Sequence, residues 1–377
     1  MKASTPPRSV PGWNLASDRV QAFLTRTGGQ LGPVYFRLGR RVVQPFSVAP
    51  WQGETLPGLP VMLKILRGDF FCAPFGGNAA PYRGERHPPH GETANRAWSL
   101  AGRSGRDGDV GLHATLVDRV RPGRVDKRIT LRRGHAAVYC EHVLSGFSGP
   151  MCFGTHPMLR FPDREGAGLV SVSGFTRGYV APDPWEKPAE KGYHALRLGA
   201  KFTSLARVPA ADGGTADLSR FPARRGYEDL VMLVGDPRPA FAWSAVSFPG
   251  EGHVFFSLKN PRVLRHTVLW ISNGGRHYPP WNGRHVNVLG LEEVTAFFHY
   301  GLAASAGRNF LNRAGVPTAV KLDPRHPTRV AHILALAAIP RGFDAVADIS
   351  PAPGGVTLRS RSGAKVFAPL DLDFIQD

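Results

Sequence analysis

The chain has 377 residues, 42% of them hydrophobic, and a formal net charge of +18 from 47 basic and 29 acidic side chains. This length and apolar content allow a large buried core, in one or two domains. The charge attracts anions, but the basic residues are spread along the chain without a basic helix or a platform of aromatic and basic residues, which argues against nucleic acid as a partner. No segment reaches the roughly 20 apolar residues that span a bilayer, and the first residues lack an apolar leader, so we expect a cytoplasmic protein without a membrane partner.

The sequence predicts neither a metal site nor a cofactor. Its three cysteines, Cys72, Cys140 and Cys152, cannot form a closed set of disulfides and are expected to be buried, reduced thiols. Asp, His and Cys do not occur at the spacings of metal-binding motifs. The pair Gly76-Gly77 is not followed by the Gly-Lys-Ser/Thr of a phosphate-binding loop.

Taken in chain order, the predicted elements are mainly strands. Residues 1–20, which are rich in Pro and Ser, predict an arm or a loosely packed strand that leads into a single domain over residues 21–377. From residue 30 onward, short apolar runs bounded by Gly and Pro indicate successive strands. Between residues 74 and 97 lies a long irregular segment rich in Gly, Pro, Asn, Arg and His. A loop of that length in a compact domain is more often functional than not.

Further strand patterns recur between residues 111 and 272, and one helix is predicted at Leu291–Ala306. Apolar residues recur there at helical spacing, namely Val294, Phe297, Phe298 and Leu302. A weaker helical pattern lies near residues 327–338. Many strands and few helices predict an all-β fold built as a large antiparallel β-sandwich.

Three segments combine ionisable side chains with Gly or Pro in this strand-rich background. In chain order they are Arg67-Gly-Asp-Phe-Phe-Cys-Ala-Pro-Phe-Gly-Gly77, which runs on to His90-Gly91, then Phe153-Gly-Thr-His-Pro157, and then Leu289-Gly-Leu-Glu-Glu293. Together they resemble the galactose mutarotase-like superfamily, which includes the aldose 1-epimerases and the hexose-6-phosphate epimerases. The resemblance covers about residues 60–300. It implies a supersandwich of long, twisted sheets with a sugar-binding cleft on one concave face.

His156 lies in Gly-Thr-His-Pro-Met, where Pro157 favours an extended conformation and fixes the direction of the histidine. Taken alone, a His-Pro pair is more typical of a turn histidine bound to a carbonyl group. The segment resembles the superfamily's His-Pro-aromatic motif, whose histidine is the general acid, although Met158 stands in place of the aromatic residue. The resemblance therefore implies a catalytic role for His156.

Glu292 follows an alternating run of residues. Gly290, two residues earlier, would lie on the same face of a regular strand and leave space for a sugar ring. The run resembles the superfamily's motif of an aliphatic residue followed by a glutamate that acts as general base. That motif implies Glu292 as the base, and Glu293 then begins the predicted helix, where a carboxylate is favourable. A helix start for both glutamates is the alternative.

Five other residues are candidates for binding the sugar. His90 resembles the superfamily histidine that donates a hydrogen bond near the ring oxygen, and Arg67 resembles the hexose-6-phosphate epimerase version of its segment. In that version a second arginine follows the His-Gly pair and helps to hold phosphate, and in this chain Arg96 lies two positions beyond that place. Asp229, in the short run Tyr227-Glu-Asp-Leu, resembles a sugar-binding aspartate of the superfamily. Trp281 would either stack on a sugar face or pack in the core.

Opening a cyclic sugar at its anomeric carbon needs a base for the anomeric hydroxyl and an acid for the ring oxygen. With ordinary pKa values of ~6.5 for His and ~4.3 for Glu, a histidinium and a carboxylate suit this reaction near neutral pH without a cofactor. We therefore predict an aldose 1-epimerase-like isomerase, with His156 as acid and Glu292 as base, that acts on a small sugar, neutral or anionic. A non-catalytic carbohydrate-binding or sensory protein is the main alternative, and a domain associated with polysaccharide lyases is a third.

Overall fold

The computed structural model describes residues 10–184 and 186–376, and strands dominate them. Residues 1–9 of the predicted arm lie outside the described residues, whereas Gly12–Ala16 forms a strand that pairs antiparallel with Val20–Thr25. Two large antiparallel sheets share one apolar core and form most of the fold. The predicted all-β antiparallel sandwich is thus confirmed.

The first large sheet, called the site sheet, has eight strands. Every residue of its two central strands His266–Asn273 and Val288–Thr295 is buried. Such strands do not alternate between polar and apolar residues, because neither face meets water. Across the sheet the strands are Lys201–Phe202, Phe175–Val180, Tyr227–Gly235, His266–Asn273, Val288–Thr295, Phe153–Thr155 and Phe71–Cys72, with Met158–Arg160 also paired to Val288–Thr295.

The second large sheet, called the outer sheet, has nine strands and ends in an exposed strand that carries two arginines, Ser99–Arg106. Charged side chains on an edge strand oppose pairing with other chains. Across the sheet the strands are Arg220–Phe221, Gly168–Val172, Ala242–Phe248, His253–Lys259, Thr328–Ala338, Ala137–Ser145, Gly123–Leu131, Asp109–Asp118 and Ser99–Arg106.

Smaller sheets and short helices make up the rest of the regular structure in the described residues. The N-terminal sheet contains Gly12–Ala16, Val20–Thr25, Leu31–Leu38 and Arg41–Val43, and the C-terminal sheet contains Val346–Ala352, Gly355–Ser360 and Lys365–Pro369. Two strand pairs join Gly149–Met151 to Val320–Leu322 and Val208–Pro209 to Thr215–Ala216. The α-helices are Val61–Lys64, Leu302–Ala306 and Phe310–Arg313, and the 3₁₀ helices are Glu92–Ala94, Pro188–Glu190, Leu205–Arg207 and Leu372–Ile375. None of these helices is long and apolar enough to cross a membrane.

Apolar clusters lie on both faces of each large sheet. The main core lies between the two sheets and includes Leu289 and Leu291 of the site sheet. A second cluster covers the other face of the site sheet and includes Val288 and Val294, and a third joins the outer sheet to the C-terminal sheet. Along Val288–Thr295, the even-numbered side chains therefore face the second cluster and the odd-numbered ones face the main core.

The helix predicted at Leu291–Ala306 is wrong for most of that range. Val288–Thr295 is a strand of the site sheet, and the helix is restricted to Leu302–Ala306. A strand that is buried on both faces carries continuous apolar residues, so its pattern cannot be distinguished from that of a buried helix. The weaker helical pattern near residues 327–338 is likewise a strand, Thr328–Ala338, which packs against the main core on one face and the third cluster on the other.

Candidate active site

His156 and Glu292 form a close acid–base pair. His156 Nε2 lies 3.1 Å from Glu292 Oε1, and both side chains are buried. Burial raises the pKa of Glu292 well above its ordinary value and lowers the pKa of His156 well below its own, which His90 lowers further. Both shifts favour the uncharged form of each side chain, in which the carboxyl proton lies between the two facing atoms.

Strand register brings this pair together. Phe153–Thr155 and Met158–Arg160 both pair with Val288–Thr295, and His156 lies in the short interruption between them. Both flanks of the histidine are therefore held by the strand that carries Glu292. Two motifs that are distant in the chain become neighbours through this pairing.

Aromatic rings hold the imidazole of His156 in place, and the carboxylate of Asp69 holds its backbone. Phe70 stacks on it at a centroid distance of 4.7 Å and an interplanar angle of 16°. His90 and Trp270 contact it edge to face at 5.1 Å and 5.5 Å. The backbone N–H of His156 donates to Asp69 Oδ1 at 2.9 Å. These contacts fix both the backbone and the ring, which pre-organises the pair.

Glu293 faces the opposite side of the strand from Glu292. Its carboxylate forms an ion pair with Lys259 and accepts hydrogen bonds from Ser244 Oγ at 2.6 Å and Thr267 Oγ1 at 2.8 Å. Because Ser244 and Lys259 belong to the outer sheet, Glu293 links the two large sheets through the main core. The alternative that both glutamates begin a helix is wrong, because both lie inside a strand.

The pair borders a cavity of about 310 Å³, a volume that suits a small ligand. Its walls combine apolar and aromatic side chains with a few polar groups. The lining residues include His90, His156, Glu186, Trp270, Arg276, Tyr278, Trp281, Glu292 and His299. Apolar walls with a few placed polar groups are typical of sites for small organic molecules.

Comparisons with known proteins agree with this architecture. A scan of protein-family models finds no match to the sequence, and a search of the curated proteins finds none either. Among solved structures, a candidate aldose 1-epimerase from Escherichia coli K12 has a TM-score of 0.59 and 13% identity, covering 87% of this chain and 99% of its own. A galactose mutarotase-like protein from Lactobacillus casei ATCC 334 has a TM-score of 0.55 and 11% identity, covering 86% of this chain and 100% of its own. The chain has the galactose mutarotase-like fold.

An ion-pair network that no sequence motif indicated lies in the wall of the cavity. Arg276 pairs with Glu186 and lies 3.9 Å from Glu228 Oε2, and its guanidinium carbon is 4.3 Å from the ring centre of Trp281. The hydroxyl of Tyr278 donates to Glu186 at 3.1 Å. One buried cation therefore faces two carboxylates. The available sequence signal was the run Tyr278-Pro-Pro-Trp281, which sets two aromatic side chains next to this arginine.

Glu228 gives this wall a pH-dependent charge. Trp270 Nε1 donates to Glu228 Oε2 at 3.1 Å, and the hydroxyl of Ser272 donates to Oε1 at 2.8 Å. Burial raises the pKa of Glu228 to about 7, against the opposing effect of Arg276. The net charge of the network thus changes near neutral pH.

Of the residues predicted to bind the sugar, His90 and Trp281 line the cavity. His90 is half-buried and has a φ of 58°, in the left-handed region. Burial lowers the pKa of His90 to about 4, so its imidazole is neutral near pH 7. A neutral imidazole offers one donor and one acceptor to a ligand.

Arg67, Arg96 and Asp229 are held by other partners and are not among the described residues that line the cavity. Arg67 Nε donates to the carbonyl oxygen of Ile65 at 3.0 Å, and Arg96 Nη1 donates to Glu92 Oε2 at 3.0 Å. Alternation along the strand Tyr227–Gly235 puts Asp229 on the side of the main core, where its carboxylate accepts hydrogen bonds from backbone amides at 2.9 and 3.1 Å.

Proposed function

We propose that the protein interconverts the anomers of a neutral aldose by opening and reclosing the sugar ring. The supporting observation is the 3.1 Å separation of His156 Nε2 and Glu292 Oε1 at the cavity. The anomeric hydroxyl oxygen and the ring oxygen are bonded to the same carbon, so a base for one and an acid for the other must be adjacent. An imidazole and a carboxyl group in contact meet that requirement.

The reactive form contains the Glu292 carboxylate and the His156 imidazolium, which requires only that the shared proton resides on Nε2. Glu292 takes the proton of the anomeric hydroxyl, a carbonyl forms at C1, and the bond from C1 to the ring oxygen breaks as His156 protonates that oxygen. Rotation about the C1–C2 bond presents the other face of the aldehyde. In the reverse steps His156 regains its proton as the hydroxyl at C5 adds to C1, and Glu292 returns its proton to the carbonyl oxygen. No co-reactant is consumed.

The charges of the cavity wall favour an uncharged sugar. Arg276 faces both Glu186 and Glu228. Burial lowers the pKa of His90 to about 4 and that of His299 to about 3, so both imidazoles are neutral near pH 7. A phosphate group would meet a wall in which the arginine is already paired with Glu186, and burying the phosphate charges without a matching cation is costly.

Aromatic side chains supply the apolar part of the proposed sugar site. Trp270 and Trp281 contact each other edge to face at 6.0 Å and both line the cavity, together with Tyr278. Aromatic rings combine a large apolar face with a polar atom at the edge. They therefore suit a pyranose, which has apolar C–H faces and a rim of hydroxyl groups.

The test is anomer exchange, measured by NMR on freshly dissolved α-glucose, α-galactose and glucose-6-phosphate. We expect the wild type to accelerate exchange of at least one neutral sugar and to act more weakly on glucose-6-phosphate. His156→Ala and Glu292→Gln should each lower the rate by about 10²-fold or more, the range of general acid–base catalysis. Asp229→Asn, which lies outside the cavity and keeps an acceptor oxygen, serves as the control and should retain activity.

Three other outcomes would decide against parts of the proposal. No acceleration of any sugar by folded wild type would overturn the reaction. If sugars then still raised the melting temperature, the protein would be a carbohydrate-binding protein on the same fold. Activity on glucose-6-phosphate alone would keep the reaction but overturn the neutral sugar.

A further inference from the structure

Three buried side chains bring metal-binding atoms together in the interior of the sandwich. One donor atom each from Asp69, Cys140 and His332 lies within 4.8 Å of the other two, and all three residues are buried. Cys140 belongs to the main core. Polar groups placed so far from water need partners. Moving an unpaired polar group from water into an apolar environment costs roughly 2–7 kcal/mol of free energy.

Separate parts of the chain supply these donor atoms. Cys140 and His332 are directly opposed on the neighbouring strands Ala137–Ser145 and Thr328–Ala338 of the outer sheet. Directly opposed residues project from the same face of a sheet. Asp69 comes from the segment that connects the N-terminal sheet to the site sheet. Because strand pairing creates the cluster, no spacing motif in the sequence indicates it.

We propose that Asp69, Cys140 and His332 bind a zinc ion. Zinc accepts thiolate, imidazole and carboxylate ligands in tetrahedral sites at about 2.0–2.3 Å, which places the donor atoms roughly 3–4 Å apart. The observed limit of 4.8 Å thus requires only small side-chain adjustments. One thiolate and one carboxylate balance the two positive charges of the ion.

A hydrogen bond holds the carboxylate of Asp69 in place, and this carboxylate lies next to His332. Asp69 Oδ1 accepts the backbone N–H of His156 at 2.9 Å, whereas Oδ2 lies 3.1 Å from His332 Nε2. Carboxylates that bind metals are themselves held by hydrogen bonds of this kind. Lys127, a buried cation that interacts electrostatically with Asp69 and Cys140, donates a hydrogen bond to the carbonyl oxygen of Gly29 at 3.0 Å.

Buried nitrogen atoms next to the cluster lack partners. Within the described part of the chain, His332 Nδ1 and both ring nitrogens of His142 have no hydrogen-bond partner. The two imidazoles are parallel within 9°, with centroids 6.2 Å apart. His142 lies two residues after Cys140 on the same strand, so both side chains project from the same face. Buried polar nitrogens normally have partners, so these nitrogens show that a polar group is lacking beside the cluster.

The proposed ion would support the structure and would not contact the sugar. Asp69 contacts the backbone of His156, whereas the imidazole of His156 faces the cavity. A zinc ion would therefore tie the segment of Asp69 to the outer sheet and hold the carboxylate that positions the histidine backbone. The inference is independent of the proposed reaction, because its test measures metal content.

The first test is the zinc content of the full-length protein, purified from cells grown with added zinc and measured by mass spectrometry. We expect about one zinc ion per chain, as in structural sites. Cys140→Ser and His332→Gln should reduce the zinc content at least about tenfold, since changes around a metal site lower affinity by that factor or more. Cys152→Ser is the matched control, because Cys152 is also a buried free cysteine but lies outside the cluster. Circular dichroism establishes that each variant is folded.

Cobalt provides a spectroscopic test for the thiolate ligand. Wild type that is unfolded in chelator and refolded with Co²⁺ should show thiolate-to-cobalt charge-transfer absorption, and Cys140→Ser should not. If folded wild type holds neither zinc nor cobalt, the proposal is overturned, and Asp69 and His332 form a hydrogen-bonded pair without metal. This outcome needs only the wild type, so unfolded variants do not obscure it. Zinc that persists in folded Cys140→Ser would place the ion elsewhere and would also overturn the site.

Discussion

Glu292 and Glu293 are adjacent in the chain but face opposite sides of one strand. Glu292 faces the cavity and lies 3.1 Å from His156, whereas Glu293 faces the main core and pairs with Lys259. Both carboxyl groups are buried. Strand alternation thus gives two identical side chains different surroundings, one beside a neutral imidazole and one beside an ammonium group.

Replacing Glu293 should mainly lower stability, whereas replacing Glu292 should mainly lower activity. Glu293→Gln should lower the free energy of unfolding by about 3–5 kcal/mol, because the buried ammonium of Lys259 loses its anion. Glu292→Gln should lower the rate of anomer exchange by about 10²-fold or more. Its stability should change little, because burial already favours the protonated carboxyl, which the amide resembles. Urea unfolding and NMR exchange measurements check both variants. A Glu292→Gln variant as unstable as Glu293→Gln would contradict this division of roles.

A methyl group at Gly290 should displace the carboxyl group of Glu292. A Cβ atom there would lie 2.7 Å from Glu292 Oε1 and 3.0 Å from Trp270 Cβ. We expect Gly290→Ala to lower kcat on the order of 10²-fold, the effect of a displacement of about 1 Å. Gly102→Ala on the edge strand is the control, since a Cβ atom there meets nothing within 4 Å. Equal exchange rates for the two variants would show that the position of Glu292 does not limit the reaction.

Glu228 should make the stability of the protein depend on pH. Burial raises its folded-state pKa to about 7, so protonation stabilises the fold at low pH, and this contribution is lost as the pH rises through about 7. Between about pH 5 and pH 8 the wild type should lose about 2–3 kcal/mol through this group. Urea unfolding of Glu228→Gln at the two pH values should show a correspondingly smaller loss. The same pH dependence in wild type and Glu228→Gln would assign the effect to other groups.

His90 should contribute more to sugar binding than to the chemical step. His90→Asn is the suitable variant because asparagine tolerates the observed φ of 58°. Loss of one hydrogen bond to the sugar should raise KM about tenfold with a smaller change in kcat. Exchange rates over a range of sugar concentrations measure both constants. The control is Arg86→Ala, which changes a residue of the same loop outside the described cavity lining and should leave KM unchanged. An unaltered KM in His90→Asn would exclude a hydrogen bond between His90 and the sugar.

The sequence by itself determined the all-β class and the central pair of the candidate site. Frequent Gly and Pro residues keep the apolar runs short, which predicts strands joined by turns. The motifs of His156 and Glu292, which include Pro157 and Gly290, predict the pair through their resemblance to the galactose mutarotase-like superfamily, and the two side chains lie in contact in the structure. Such signals can be recognised because a turn, a proline and a two-residue alternation are local properties of the chain.

Only the tertiary structure decided which segments became neighbours. Residues 291–295 belong to the strand Val288–Thr295 but match a helical pattern, because burial on both faces removes the alternation that identifies a strand. Arg276 is held in the cavity wall by an ion pair with Glu186, which belongs to a different loop. Asp69, Cys140 and His332 converge because two strands pair and a distant segment packs against them. Pairing of this kind depends on burying the whole core, and no local spacing records it.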